Sequence, residues 1–251
     1  MKGYSASQDI GCFEQRSVPS PQQAIGLESS AGSTGAGSTG VKRAVVSLPA
    51  HSPETGAQPE AWCALKPVWT AGPDLLQPGQ PAHLSPAWRM FLLGDGSATR
   101  NLRLLTGETV QVDILDASDI GSDADGAPAE LTAIPGPRLR RQVWLRTESG
   151  LRLSYAVSWW QASQIDQYLA DPSLPIGISL SQSRREVYRD IRTLFLGHNK
   201  ALEEAFEMPG PFWGRHYLFW HGGAPFSLIY EVYSPVLSRY LGPTSESSAE
   251  S

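Results

Sequence analysis

Arg215-His216-Tyr217-Leu218-Phe219-Trp220, His221-Gly222-Gly223-Ala224 and Pro225-Phe226-Ser227-Leu228-Ile229-Tyr230-Glu231-Val232-Tyr233 form the stretch that decides the fold. Two runs rich in aromatic and aliphatic residues flank a turn with two glycines, which is a β-hairpin signal. A second hairpin precedes it, with Arg138 to Arg146 and Leu151 to Trp160 joined at Glu148-Ser149-Gly150. Hairpin-linked strands lie antiparallel, because parallel neighbours need long crossovers. Thr109 to Leu115 alternates, with Val110, Val112 and Ile114 on one side and Gln111 and Asp113 on the other, so it reads as a half-buried strand. Five or six strands are expected in all.

Helices fall between them. Ser85 followed by Pro86 is a helix start, Trp88, Phe91 and Leu92 recur at helical spacing, and Gly94 ends the run. Ala98 to Leu105 reads as a helix stopped by Gly107, and Ala162 to Leu169 as a short one broken by Pro172 and Pro175. In Ser183 to Leu196, Val187, Ile191 and Leu194 share a stripe, with Arg184, Arg185, Arg189 and Arg192 elsewhere, which predicts an amphipathic helix. Lys200 to Glu207 reads as another short helix. The fold class is α+β.

The aromatic residues mark the folded part. Of 23 Phe, Trp and Tyr, 19 lie between His83 and Pro243, a window of 161 residues, long enough for one core. Residues 1–82 are rich in Ser, Gly, Ala, Pro and Gln, with AGSTG twice in tandem at Ala31–Gly40. Such a segment buries too little apolar area to offset its ordering entropy, so a disordered low-complexity extension is expected over 1–82. Inside it, the island Ala61 to Trp69 is expected to dock on the domain, with a partner-binding peptide as the alternative. Residues 244–251 read as a disordered Ser/Glu tail.

Composition excludes several classes. The chain carries 20 Lys and Arg against 25 Asp and Glu, a net charge of −5, which argues against a general nucleic-acid binder. Cys12 and Cys63 cannot build a disulfide framework or a four-cysteine zinc site. No apolar run is long enough to span a membrane, and the N-terminus does not resemble a secretory signal. A reducing cytoplasmic compartment and a monomer are the expectations. There is no Walker loop, G-x-G-x-x-G or G-x-S-x-G. Residues 116–130 read as an acidic loop. Asp123 and Asp125-Gly126 hint at a calcium loop, but the first ligand position would be Gly121 and the twelfth Thr132. His216 and His221 lack further ligands at metal spacing.

Two charges stand out. Glu231 interrupts an apolar strand, and Arg146 ends Val143-Trp144-Leu145-Arg146. A charge in such a setting is costly unless paired or facing a polar cavity. The residues leave three readings open. They form a buried Arg146–Glu231 ion pair, Glu231 lies on a solvated sheet face, or the two form a site in which Arg takes an anion and Glu handles a hydroxyl.

Five strings, in order, resemble the chorismate lyase family, in its cyanobacterial and plastid-type branch. They are Gly94-Asp95-Gly96-Ser97-Ala98-Thr99-Arg100, Val143-Trp144-Leu145-Arg146, Leu174-Pro175-Ile176-Gly177, Trp213-Gly214-Arg215 and Ile229-Tyr230-Glu231-Val232-Tyr233-Ser234-Pro235. The resemblance covers roughly Ser85 to Pro243. It implies a single antiparallel sheet flanked by helices, enclosing an internal ligand pocket beneath helical flaps. It implies loss of pyruvate from chorismate to give 4-hydroxybenzoate for prenylquinone, in this branch plastoquinone, with no metal or organic cofactor. The family's carboxylate-binding arginine falls on Arg146, and its hydroxyl-binding glutamate on Glu231. Its two backbone contacts fall on Ala98 and Ile176. Arg100 and Arg215 are candidate anion contacts. A non-catalytic protein holding an aromatic acid in the same pocket is the competing reading, because fold alone does not fix activity.

Overall fold

The computed structural model describes residues 62–72, 84–171, 174–183 and 185–244. The chain divides into two units, Met1–Glu54 and Thr55–Ser251, and all described residues belong to the second. Its centre is one seven-stranded sheet in the order β1-β5-β6-β7-β4-β3-β2, and every neighbouring pair is antiparallel.

The strands are β1 Lys66–Ala71, β2 Val110–Gly121, β3 Arg138–Thr147, β4 Arg152–Gln161, β5 Tyr188–His198, β6 Phe212–His221 and β7 Ala224–Tyr233. The helices are α1 Pro86–Leu93, α2 Ala98–Thr106, α3 Ile165–Tyr168, α4 Ile176–Ser183, α5 Lys200–Phe206 and α6 Ser238–Leu241. Both hairpins expected from the sequence are present as β3–β4 and β6–β7, and the second turns on Gly222 and Gly223, both at positive φ. α1 buries Trp88, Phe91 and Leu92. α2 is capped by the Ser97 hydroxyl and ends at left-handed Gly107.

Three sequence expectations need correction. The first concerns Ser183 to Leu196, whose larger part is strand β5 rather than a helix. Leu194 and Phe195 are both buried, yet they sit in different apolar clusters, one on each side of the sheet. A helical stripe cannot bury adjacent residues in opposite directions, whereas a central strand does so at every step. A bulge between Ile191 and Thr193 breaks the alternation that would have revealed the strand.

The second correction is that residues 116–121 are not loop. β2 continues to Gly121, with register shifts at Ile114/Asp116 and Asp119/Gly121. The acidic residues there have a structural task. Arg140, fully buried in β3, is held by Asp116 at 2.8 Å and by Asp125 at 2.8 Å.

The third correction concerns the domain boundary. Trp62 to Gly72 lies on the N-terminal side of the expected start at His83, yet it contributes the edge strand β1, paired with β5. The Trp62 ring meets those of Trp159 and Tyr230, and the Trp69 ring meets that of Trp213. The Leu65 N–H donates to the Tyr230 hydroxyl at 2.9 Å. Residues 1–61, 73–83 and 245–251, with the tandem AGSTG and Cys12, lie outside the described residues.

The two sheet faces differ. One carries Trp144, Tyr155, Trp159 and Tyr230, covered by Leu65 and by α5 through Leu202 and Phe206. The other face carries two apolar clusters. Leu145, Leu194, Trp213 and Tyr233 pack under α1 and α2, and Trp160, Tyr217, Phe219 and Ile229 pack with Tyr168 and Leu180. A gap between those two clusters is where the site lies.

Removing residues 1–82 deletes β1 and its tryptophan contacts, at a cost on the order of 3 kcal/mol, or about 6–12 °C of Tm for a domain of this size. Removing only 1–61 keeps β1 and the wild-type transition. Thermal unfolding of both truncations followed by circular dichroism checks this, and equal Tm values would show that β1 is dispensable.

Candidate functional site

Glu231 is the residue from which the site is built. It sits in β7, 5% exposed, directly opposite Arg215 of β6 in the cross-strand register. Its carboxylate accepts from Arg215 Nε at 2.9 Å, from the Tyr217 hydroxyl at 2.9 Å and from the Tyr233 hydroxyl. Burial works to raise its pKa. The charge of Arg215, then that of Arg189, and the hydrogen bonds from Tyr233 and Arg215 outweigh burial, and the value falls below the ordinary 4.5. Burial raises Tyr217 and Tyr233 above the usual phenol range, so both remain neutral donors. The result is an ionised acid held in apolar surroundings.

Glu231 lines a cavity between the sheet and the N-terminal ends of α2 and α4. β3 contributes Arg141, Val143 and Leu145, β4 contributes Ala156 and Ser158, β5 contributes Arg189, and β6 contributes Tyr217 and Phe219. Ser97, Ala98 and Thr99 enter from α2, and Pro175, Ile176 and Gly177 from α4. Counted out to its mouth and including the solvent there, the empty space is about 470 Å³. The two helices meet tightly over it. A Cβ on Gly177 would lie 2.1 Å from the Ser97 hydroxyl oxygen, so only glycine permits this approach. Gly214 plays a similar part in β6, where a Cβ would meet the Phe195 ring at 2.1 Å and the Glu231 carbonyl oxygen at 2.6 Å.

The sequence-expected residues divide as follows. Glu231, Ala98 and Ile176 line the cavity. Arg146 does not, and this overturns its expected place beside Glu231. Its Nε donates to Asp113 at 2.7 Å, with both side chains partly exposed. The reason is the strand period of two. Val143 and Leu145 point into the cavity, so Arg146 leaves from the opposite face with Trp144. Arg141 falls in step with Val143 and Leu145 and supplies the cavity's cation. It is 2% exposed, and desolvation lowers its pKa to about 10, so it is charged at neutral pH. Arg215 is also displaced from its expected role. It is fully buried and absent from the lining, and it is engaged by Glu231 and by the carbonyl oxygens of Leu92 and Gly94 at 2.6 and 3.2 Å. Arg100 lies outside, in a surface depression with Arg103, Ser181 and Gln182.

Arg189 was missed because its segment read as a helix. Arg141 was missed because Arg146 ends the apolar run and is the more conspicuous charge, whereas Arg141 precedes the run in phase with its inward side. The alternation of Arg141, Val143 and Leu145 was the available signal. Among the described residues no group of three or more His, Cys, Asp and Glu is placed to hold a metal ion, and no helix is long and apolar enough to cross a membrane.

The ion pair behind the cavity and the one on the opposite face differ in weight. Arg215→Ala strands a buried carboxylate and should cost about 3–5 kcal/mol. Arg146→Ala removes a half-exposed pair and should cost about 1 kcal/mol or less. Urea unfolding of both variants checks the contrast. The pH dependence follows from the lowered pKa of Glu231. Its stabilisation is complete above about pH 4.5 and is lost as pH falls through the lower folded value. Glu231→Gln should therefore flatten the acid limb of a stability profile, and an unchanged limb would remove Glu231 from that account.

Comparison with known proteins adds the following. Residues 92–241, more than half of the chain, match the family described as chorismate pyruvate-lyase Rv2949c-like. An uncharacterized protein, ycf21, of Cyanophora paradoxa is 32% identical over 171 residues, covering 68% of this chain and 89% of that protein. The ycf21 protein of Porphyra purpurea is 37% identical over 153 residues, covering 61% and 83%. Among solved structures, the effector domain of PhnF from Mycobacterium smegmatis is similar at a TM-score of 0.45 and 13% identity, covering 58% of this chain and 92% of that one.

Proposed function

Because the chain belongs to the Rv2949c-like chorismate pyruvate-lyase family, in its cyanobacterial and plastid-type branch, we propose that it eliminates pyruvate from chorismate and releases 4-hydroxybenzoate. The observation that carries this reading is one cavity lined by a buried cation, Arg141, and a buried ionised acid, Glu231.

Chorismate is a cyclohexadiene with a ring carboxylate, a C4 hydroxyl and an enolpyruvyl ether at C3. The C4–H bond breaks with its electrons forming the C3–C4 double bond, the C3–O bond breaks with its electron pair going to the departing oxygen, the ring becomes aromatic, and the proton passes to the departing enolpyruvate. The enolpyruvate takes up a proton and becomes pyruvate. The step runs downhill, so the protein's work is orientation and charge stabilisation. Arg141 receives the ring carboxylate through its planar fork. Glu231 accepts a hydrogen bond from the C4 hydroxyl and assists the proton transfer as the phenol forms. Arg215, Tyr217 and Tyr233 hold its carboxylate ionised and fixed. Ala98 and Ile176, at the starts of α2 and α4, line the cavity, and their backbone N–H groups are assigned to the substrate. The aromatic acid supplies prenylquinone assembly, of which plastoquinone is this branch's expected end product.

The test is to mix purified protein with chorismate and follow 4-hydroxybenzoate absorbance and pyruvate together. Glu231→Gln should lower kcat by about 10²–10⁴-fold, the usual weight of a proton-handling group. Arg141→Ala should weaken 4-hydroxybenzoate binding by about 1.5–3 kcal/mol, the worth of a hydrogen bond to a charged group. Arg146→Ala should change neither. Binding of 4-hydroxybenzoate with no turnover of chorismate would mark the protein as a non-catalytic holder of aromatic acids and refute the lyase reading.

A further inference from the structure

Arg189 is the second cation of the cavity lining, beside Arg141. It is 7% exposed. Its guanidinium lies over the rings of Tyr217 and Phe219, at 4.6 and 5.1 Å from their centroids. Its Nη1 donates to the carbonyl oxygen of Asp95 at 2.6 Å and to that of Gly96. Its Nε is buried and has no hydrogen-bond partner among the described residues. Among the described residues no carboxylate makes an ion pair with it: Glu231, whose charge it feels, is bonded by Arg215, and Asp190 by Arg192.

A buried donor on a charged group is costly to leave unsatisfied. Such a donor in a cavity wall marks a place where a ligand acceptor completes the structure. The ring faces of Tyr217 and Phe219 fix the plane of the guanidinium, and the two carbonyls fix one of its nitrogens, so little ordering remains when an anion arrives. Chorismate brings two carboxylates, and 4-hydroxybenzoate keeps only one of them.

We infer that Arg189 binds the carboxylate of the enolpyruvyl arm, the group that leaves as pyruvate, an inference that rests on the lyase reading above. The same guanidinium ties down Asp95 and Gly96, in the segment that leads into Ser97 and the start of α2. The arm's carboxylate therefore sits against the anchor of the helix that roofs the cavity. Arg189 distinguishes substrate from aromatic product, since the product lacks the arm.

The experiment compares full-length wild type, Arg189→Gln and Arg189→Lys. It reads kcat/KM for chorismate and, by calorimetry, the Kd of 4-hydroxybenzoate. The expected result is a loss of at least tenfold in kcat/KM for Arg189→Gln, partly restored in Arg189→Lys, with the product Kd within threefold of wild type in both. Equal weakening toward both ligands would reduce Arg189 to a structural prop, and unchanged kcat/KM would remove it from substrate binding; either result overturns the inference while leaving the lyase reading intact. If Arg189→Gln does not fold by circular dichroism, Arg189→Lys decides by the same split between substrate and product. A wild type that leaves chorismate unchanged overturns the lyase reading itself, and this inference with it.

Discussion

The ion pair between Glu231 and Arg215 is the constraint on which the rest of the structure depends. A carboxylate at 5% exposure needs a counter-charge and donors for its remaining lone pairs. The β6–β7 register supplies the first by placing Arg215 directly across from it, and Tyr217 and Tyr233 supply the second. A slip of one residue would send Arg215 to the other face and leave Glu231 bare. Arg215 also reaches the carbonyl oxygens at the end of α1, so the pair fixes where the helical layer begins. Gly214 lets Phe195 and the β7 backbone close up beside it. Sheet register, helix placement and site electrostatics are thus set by the same few atoms.

How much of this was legible in the sequence depends on how each signal is carried. The hairpins were legible because their turns need glycine and their strands need aromatic and aliphatic residues, both local properties. Glu231 was legible because a lone acid inside an apolar strand has no inexpensive structural explanation. Its partner was not, because pairing across a sheet depends on register rather than on sequence distance. The choice between Arg141 and Arg146 turned on parity along β3. Both belong to a strand with charges at both ends, and the phase shared with Val143 and Leu145 separates them. The resemblance to chorismate lyases pointed to Glu231, Ala98 and Ile176, which line the cavity, and to Arg146, five residues after Arg141 and outside the lining.

Two features were hidden for a different reason. β5 has apolar residues at a spacing that fits a helix, and a bulge conceals its alternation. Only contact on both sides, with β1 and with β6, selects the strand, and this tertiary information is absent from a local window. β1 has the complementary problem. Lys66–Ala71 is short and is stabilised by aromatic contacts from Trp62 and Trp69 to rings far along the chain. The apolar island Ala61 to Trp69 was legible as a segment that docks on the domain, but its pairing with β5 as a strand was not, because composition averaged over 82 residues conceals six of them.

The charge arrangement within the cavity has a logic of its own. An anionic site for an anionic ligand is self-defeating unless the resident acid is neutralised before the ligand arrives. Arg215 does this from behind the lining and reaches the cavity only through Glu231. Arg141 and Arg189 are then the cations that the cavity itself presents, and they stand on β3 and β5, on either side of the β4, β7 and β6 strands that carry the carboxylate and its apolar floor. A ligand that satisfies both must extend across those strands with the Glu231 carboxylate near its middle. In the proposed reading, the C1 carboxylate and the arm's carboxylate meet the two cations and the C4 hydroxyl meets Glu231, whereas a simple aromatic monoacid satisfies only one of the cations.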